Sequence, residues 1–148
     1  MKKYIVIFVV MVLSIVSGCG NSNESEITVF VEIDCSDILN NYDLLDENLR
    51  DEKYVPSDGM ILEKTEVNIP EGSGALEVLK AVAKEKDIQV DISDGYAKGI
   101  NYIYEKSCGS MSGWIYEVNG EPVMTEYIAS ENDTISWKYI CDFSNFGM

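Results

Sequence analysis

The sequence contains no histidine and is poor in proline and in basic residues. Without histidine the chain lacks the commonest general base and metal ligand of proteins, so Ser-His and Cys-His catalysis are excluded. The 11 basic and 26 acidic residues give a formal net charge of −15. An anionic surface repels phosphate backbones, which argues against a nucleic-acid partner, and solubility alone explains such a surface.

No Cys-x-x-Cys pair occurs among the four cysteines, which are Cys19, Cys35, Cys108 and Cys141. A zinc ribbon and a thioredoxin-type redox site are therefore not expected. Acidic residues gather at 43–52 and 91–94, but neither group has the spacing of an EF-hand loop. We predict no metal site. Because no spacing singles out a pair of carboxylates for glycoside hydrolysis, we do not expect an enzyme.

The N-terminus has the pattern of an export signal. Two lysines precede an apolar stretch over residues 4–16, which is shorter than the ~20 residues that a membrane-spanning helix needs. Small residues then lead to Cys19. The sequence Val16-Ser17-Gly18-Cys19 resembles the bacterial lipobox, whose cysteine receives diacylglycerol before the leader is removed.

This resemblance implies a lipoprotein held at the extracytoplasmic face of the cell membrane through Cys19. Two acyl chains on one residue give stable anchoring. We expect residues 1–18 to be removed as a signal peptide, residues 19–26 to form a flexible tether, and residues 27–148 to form one domain. Loss of the two leader lysines makes the net charge of the mature chain −17. The alternative is ordinary cleavage that leaves a free thiol at Cys19.

Apolar periodicity predicts several strands and a main helix. The strands are expected over residues 27–34, 60–69, 88–92, 100–104, 113–118 and 134–141, with a return strand near 122–127. Helical spacing of Ala75, Val78, Leu79 and Val82 predicts the main helix over residues 73–86. A second helix is expected after Ser36, where Ile38, Tyr42, Leu45 and Leu49 recur at helical spacing. Asn119-Gly120 predicts a tight hairpin, and Pro122 places the return strand at an edge.

Cys35 and Cys141 extend the apolar faces of the first and last strands. If these strands lie side by side and parallel, the two cysteines leave the sheet at the same end. We therefore predict a Cys35–Cys141 disulfide, although a different pairing stays open. Three cysteines in an oxidising compartment leave one over.

Short motifs in a fixed order carry a wider resemblance. They are Asp34-Cys35-Ser36, Tyr54-Val55-Pro56 with Asp58-Gly59, Val78-Leu79-Lys80, Gly99-Ile100-Asn101, Cys108-Gly109, Ser112-Gly113-Trp114-Ile115-Tyr116 with Asn119-Gly120, and Trp137-Lys138-Tyr139 with Cys141-Asp142. Together they resemble the bacterial surface domains described as similar to the C-terminal domain of transcobalamin and intrinsic factor. The resemblance implies an α+β fold with a β-grasp-like mixed sheet packed against one main helix, plus a short N-terminal helical segment. Periodicity alone leaves several α+β folds open.

Two departures from the family pattern affect expectations. Residues Val123-Met124-Thr125-Glu126 stand where relatives carry a further cysteine, so Cys108 lacks its usual partner and is predicted to be a free thiol. Asn132-Asp133 replaces a Gly-Asp turn, which changes little because asparagine tolerates turn geometry.

The resemblance implies a non-catalytic binding domain, with a corrinoid such as cobalamin as ligand and a second protein domain covering its other face. Without an imidazole for cobalt, binding would rely on stacking and hydrogen bonds. The candidate ligand surface is Asn101, Tyr102, Trp114, Tyr116 and Asn119. Core packing explains the two hairpin aromatics as well, and the turn explains Asn119. The alternative function is a structural or protein-interaction module displayed on the cell surface.

Overall fold

The structure is a computed structural model that describes residues 25–145, the side chain of residue 145 excepted. The predicted signal peptide, Cys19 and most of the tether lie outside these residues. The described elements are β1 (Glu26–Asp34), α1 (Asp37–Asn40), β2 (Met60–Pro70), α2 (Ala75–Lys86), β3 (Val90–Ser93), β4 (Tyr96–Ile100), β5 (Ile103–Tyr104), β6 (Gly113–Val118), β7 (Glu121–Val123) and β8 (Thr134–Ile140). Within residues 25–145 no helix is long and apolar enough to cross a membrane.

A five-stranded sheet in the order β2-β1-β8-β6-β7 forms the body of the domain. The first and last strands are central and parallel, with Ile33 beside Trp137, and the other neighbouring pairs are antiparallel. Strand β7 contains Pro122 and lies at an edge, where a missing N–H is tolerated. The predicted mixed α+β architecture with one main helix is confirmed.

Helix α2 covers one face of this sheet. It begins at Gly74, whose N–H donates to the Glu77 carboxylate at 2.8 Å, and it ends at Asp87 in the left-handed conformation. Its buried side is formed by Ala75, Val78, Leu79, Val82 and Ala83. All of these side chains except Ala83 join the inward residues of β1, β2 and β8 in the main core. Burial of this stripe explains why its spacing predicted the helix.

The predicted second helix is wrong beyond its first turn. Helix α1 ends at Asn40, and single 3₁₀ turns at Tyr42–Leu44 and Glu47–Leu49 follow it. Asp46 is not helical because its side chain accepts the Asn48 N–H at 3.0 Å. Hydrogen bonds from short polar side chains to the backbone thus compete with the hydrogen bonds of the helix that the apolar spacing favours.

The predicted strand over residues 100–104 is also corrected. Asn101 and Tyr102 have φ angles of 51° and 67°, so the chain reverses and β5 pairs back onto β4. The small sheet has the order β3-β4-β5. Gly99 in β4 is required there because a Cβ would lie 2.7 Å from the Tyr104 ring.

A second, smaller core lies at the end of the sheet where β1 stops. Its buried members are Cys35, Ile38, Leu45, Val55, Ile103, Cys108, Tyr139 and Cys141. The loop before β2 closes over it, and the Cys35 N–H donates to the Gly59 carbonyl at 2.8 Å. All three described cysteines therefore lie in one apolar cluster.

Candidate functional site

A pocket of about 610 Å³ lies between the start of α2, the β3–β4 turn, strand β6 and the segment after β7. We call it the aromatic pocket. Trp114, Tyr116 and Trp137 line it from the sheet. The other walls include Ala75, Leu76, Tyr96, Met124 and Ile128. It has the size of sites that hold small molecules, which are typically about 300–1,000 Å³.

Trp137 is a buried member of the pocket lining. It sits in β8, the middle strand, opposite Tyr116 of β6, and the two ring centroids are 4.9 Å apart. The side chain is 2% exposed. Among the described residues, its Nε1 is the one buried side-chain nitrogen or oxygen without a hydrogen-bond partner. Because a buried unpaired donor costs about 1–3 kcal/mol, it marks a place where an acceptor would be favoured.

The segment after β7 forms a wall that is fixed to the start of α2. The Ala75 N–H donates to the Tyr127 carbonyl at 2.9 Å, and the Ala129 N–H donates to the Ser73 carbonyl at 2.9 Å. From the sheet, the Tyr116 hydroxyl donates to the Thr125 carbonyl at 2.5 Å. Burial and the nearby Glu126 carboxylate raise the pKa of Tyr116. This tyrosine therefore stays a neutral donor at physiological pH.

Asp133 fixes the same wall from behind. Its carboxylate accepts hydrogen bonds from Asn119 Nδ2, the Tyr127 hydroxyl and the Ser130 N–H, all between 2.7 and 2.8 Å. Burial acts to raise the pKa of Asp133, but these hydrogen bonds outweigh it and leave the pKa below its ordinary value. Sequence reasoning noted Asp133 only as a turn residue. A carboxylate directly before a central strand was the available signal.

The rim of the pocket combines exposed apolar side chains with charges. Tyr96, Met124 and Ile128 are 45%, 68% and 52% exposed. Lys80 and Glu126 also line the opening. An apolar rim around a concave site is the usual sign of a binding surface.

The structure brings together two of the five predicted ligand residues. Trp114 and Tyr116 line the aromatic pocket, and both also pack against the main core, which is the alternative explanation that the sequence offered for them. Trp114 Nε1 donates to the Ile103 carbonyl at 2.7 Å, and its ring meets Tyr139 edge-on at 5.1 Å. Only part of each ring therefore serves the pocket.

Asn101, Tyr102 and Asn119 do not line the aromatic pocket. Asn101 Nδ2 donates to the carbonyls of Lys53 and Tyr54, which ties the β4–β5 turn to the loop before β2. Tyr102 is 49% exposed and meets the Tyr54 ring edge-on at 5.7 Å, on a separate surface.

Asn119 has both ends of its side-chain amide occupied. Its Nδ2 donates to Asp133, and its Oδ1 accepts the Thr134 N–H at 2.9 Å. Its φ of 53° also matches the predicted tight turn. Asn119 is thus fully explained by the fold.

The three described cysteines are buried thiols. Cys141 Sγ lies 2.9 Å from Cys108 Sγ, and the free thiol expected at Cys108 stays a prediction. The Cys35–Cys141 disulfide stays a prediction. Burial raises the pKa of Cys35 to about 12, helped by the Asp34 carboxylate. Among the residues that the structure describes, no group of three or more potential ligands could hold a metal ion.

Comparison with known proteins gives a likeness to a solved structure. No protein-family model matches the chain, and no curated protein matches it. Among solved structures, the chain is similar to that of haptocorrin in complex with Cbi, with a TM-score of 0.54 and 18% sequence identity. The match covers 84% of this chain and 28% of the haptocorrin chain. The likeness is one of fold, and the chain spans little more than a quarter of that haptocorrin chain.

Proposed function

We propose that this chain is an extracytoplasmic binding domain that holds one face of a corrinoid, or of another flat ligand of similar size, in the aromatic pocket. Two observations carry the proposal: Trp137 is one of the residues that line the pocket, and its buried Nε1–H has no hydrogen-bond partner. A carbonyl or amide oxygen of a ligand would accept this hydrogen bond. Corrinoids carry such amide groups around a flat ring system.

The aromatic rings supply the rest of the expected affinity. Tyr116 and Trp137 are packed against each other, and the neighbouring strands hold both rings in place. A prearranged aromatic floor costs little ordering entropy on binding. With no histidine in the chain, these contacts would replace cobalt ligation.

A second protein is expected to cover the ligand from outside. Met124, Ile128 and Tyr96 leave an apolar rim exposed, which favours burial against another surface. The similar domain belongs to a haptocorrin chain more than three times as long as its matched part. A domain of this size alone would bury only one face of a corrinoid, so its unaided affinity should be modest.

The lipid anchor belongs to the same proposal and rests on the leader and Cys19 alone. Diacylation of Cys19 would keep the binding domain at the membrane surface on a short tether. Mass spectrometry of the mature chain tests this part separately. An unmodified N-terminal cysteine would rule out the anchor without affecting the pocket.

An absorbance titration of the mature chain with cobinamide and with cobalamin tests ligand binding. We expect a saturable spectral change, and substitution Trp137→Phe should weaken binding about tenfold because it removes one hydrogen bond while keeping a ring. Tyr102→Ala is the matched control, since Tyr102 is an exposed aromatic on the other surface. No spectral change up to millimolar ligand would defeat the corrinoid proposal. An equal loss of binding in both variants would contradict binding in the aromatic pocket.

The alternative of a structural or protein-interaction module makes a different forecast. In that case corrinoids leave the spectrum unchanged, while Met124→Asp still abolishes partner binding through the rim. The exposed apolar rim alone is compatible with both functions. The unpaired Trp137 Nε1 favours the ligand.

A further inference from the structure

Two cysteines lie sulfur to sulfur in the smaller core. Cys108 Sγ is 2.9 Å from Cys141 Sγ, and the side chains are 0% and 3% exposed. This distance is longer than the ~2.05 Å of a disulfide bond but close enough for a small rotation to form one.

Several hydrogen bonds hold Cys108 in this position. The Cys108 N–H donates to Ser112 Oγ at 3.1 Å, and Ser112 Oγ lies 2.8 Å from the Tyr139 hydroxyl. Cys108 also bridges to Leu45 across the smaller core. On the other side, the Cys141 N–H donates to Asp37 Oδ2 at 2.8 Å. Both backbones are thus fixed before any covalent bond is considered.

The register of the central strands separates Cys35 from Cys141. Asp34 lies beside Lys138 in the parallel pair, so Cys35 is level with Tyr139. Cys141 is two residues further along, which corresponds to about 6–7 Å in a strand. Parallel strands therefore do not by themselves bring these two cysteines together.

We propose that the mature protein contains a Cys108–Cys141 disulfide and that Cys35 remains a thiol. The bond joins the irregular loop before β6 to the chain directly after β8. It thereby links two segments of the smaller core covalently, at the end of the sheet where β1 stops.

The oxidant would be a disulfide, either of an export-compartment oxidoreductase or of a small thiol compound. One cysteine thiolate attacks a donor sulfur, which forms a mixed disulfide and releases the first donor thiol. The second cysteine thiolate then attacks its partner's sulfur and releases the second donor thiol. Both cysteine protons end on the donor, which leaves reduced by two electrons.

The surroundings indicate a structural bond. Burial raises the pKa of both Cys108 and Cys141, and the Asp37 carboxylate acts in the same direction. Thiolates are the reactive species, so exchange in the folded state should be slow. The bond should form while the chain folds and then stay closed.

Peptide mapping without reduction tests the pairing in the full chain exported by a bacterial host. After free thiols are blocked in denaturant, trypsin cuts after Lys106 and Lys138, which places Cys108 and Cys141 in different peptides and leaves Cys35 in a third. We expect peptide 107–138 joined to peptide 139–148, and the peptide that contains both Cys19 and Cys35 to carry a blocking group on Cys35. A joined Cys35 peptide, or three blocked cysteines, would overturn the proposal.

Substitutions provide the matched controls. Cys35→Ser should leave the joined peptides unchanged, whereas Cys108→Ser should leave Cys141 blocked by the reagent. Refolding of the reduced wild-type chain in oxidised and reduced glutathione should give the same pair without any export step. Refolding to a Cys35–Cys141 bond would contradict the proposal even if Cys108→Ser fails to fold. None of these measurements depends on ligand binding.

Discussion

The carboxylate of Asp133 offers the sharpest test of how the fold supports the pocket wall. It is 7% exposed and accepts hydrogen bonds from Asn119, Tyr127 and Ser130, which belong to two separate loops. Substitution Asp133→Asn keeps the shape but removes the charge and turns an NH₂ group toward at least one donor. We expect this change to destabilise the domain and to loosen the wall.

The magnitude follows from the number and type of these hydrogen bonds. A hydrogen bond to a charged group contributes about 1.5–3 kcal/mol, and an unsatisfied buried donor costs about 1–3 kcal/mol. Because the bonds share one carboxylate and are not additive, we predict a loss of about 2–4 kcal/mol in the free energy of unfolding. That is a large part of the roughly 5–15 kcal/mol typical of a domain.

Urea unfolding followed by tryptophan fluorescence measures this loss, because both tryptophans of the chain line the pocket. Asp94→Asn is the matched control. Asp94 is exposed and contacts only a neighbouring serine and lysine, so its variant should unfold at the wild-type urea concentration. Equal midpoints for wild type and Asp133→Asn would refute the role given to this carboxylate.

The pH dependence of the free energy of unfolding gives an independent test of the role of Asp133. Its pKa in the folded state is below the ordinary 3.8, so the unfolded chain binds its proton first as the pH falls. The stabilisation is therefore present above the ordinary pKa and is lost as the pH falls through the folded pKa. The gap in unfolding free energy between wild type and Asp133→Asn should narrow in this acidic range. A gap that widens there would contradict the assignment.

Three further perturbations test other parts of the fold. Leu79→Ala, at a fully buried position of α2, should lower the unfolding free energy by about 2–5 kcal/mol in urea, and a loss under 1 kcal/mol would contradict its place in the core. Gly59→Ala should lower the melting temperature, because φ is +77° and the new Cβ would lie 2.4 Å from Ser36 Cα; an unchanged temperature would show that this loop adapts freely. If Cys108 and Cys141 are joined, reduction should lower the free energy of unfolding by roughly 4 kcal/mol, the value that the chain-entropy model gives for a loop of this length. Identical urea midpoints with and without reductant would exclude a stabilising bond.

The elements that burial dictates could be predicted from the sequence. Alternation in β1 and β8, and the helical spacing of Ala75 to Val82, reflect contact with a single core. Asn119-Gly120 gave the hairpin because both residues adopt positive φ without strain. These signals are local, and the fold satisfies each of them.

The features that failed depend on contacts distant in sequence. The reversal at Asn101 is held by carbonyls some 47 residues earlier, which no local pattern reveals. The same applies to the pocket, since alternation identified Trp137 as an inward residue but could not show that its Nε1 lacks a partner. Which cysteines lie side by side depends on the register of β1 and β8 and on the loop that carries Cys108. The alternation of apolar residues in the two strands indicates neither.

The parallel pairing of β1 with β8 has a consequence for the order in which the sheet is completed. Glu32 of β1 accepts a hydrogen bond from Ser136 of β8, 104 residues later in the chain. In a chain synthesised from its N-terminus, β1 and β2 can pair and α2 can form early. The middle of the sheet stays incomplete until β8 has been made and pairs with β1. Until then the segment is an incomplete sheet with an unpaired inner edge. Such a topology makes the last strand the one that closes the domain.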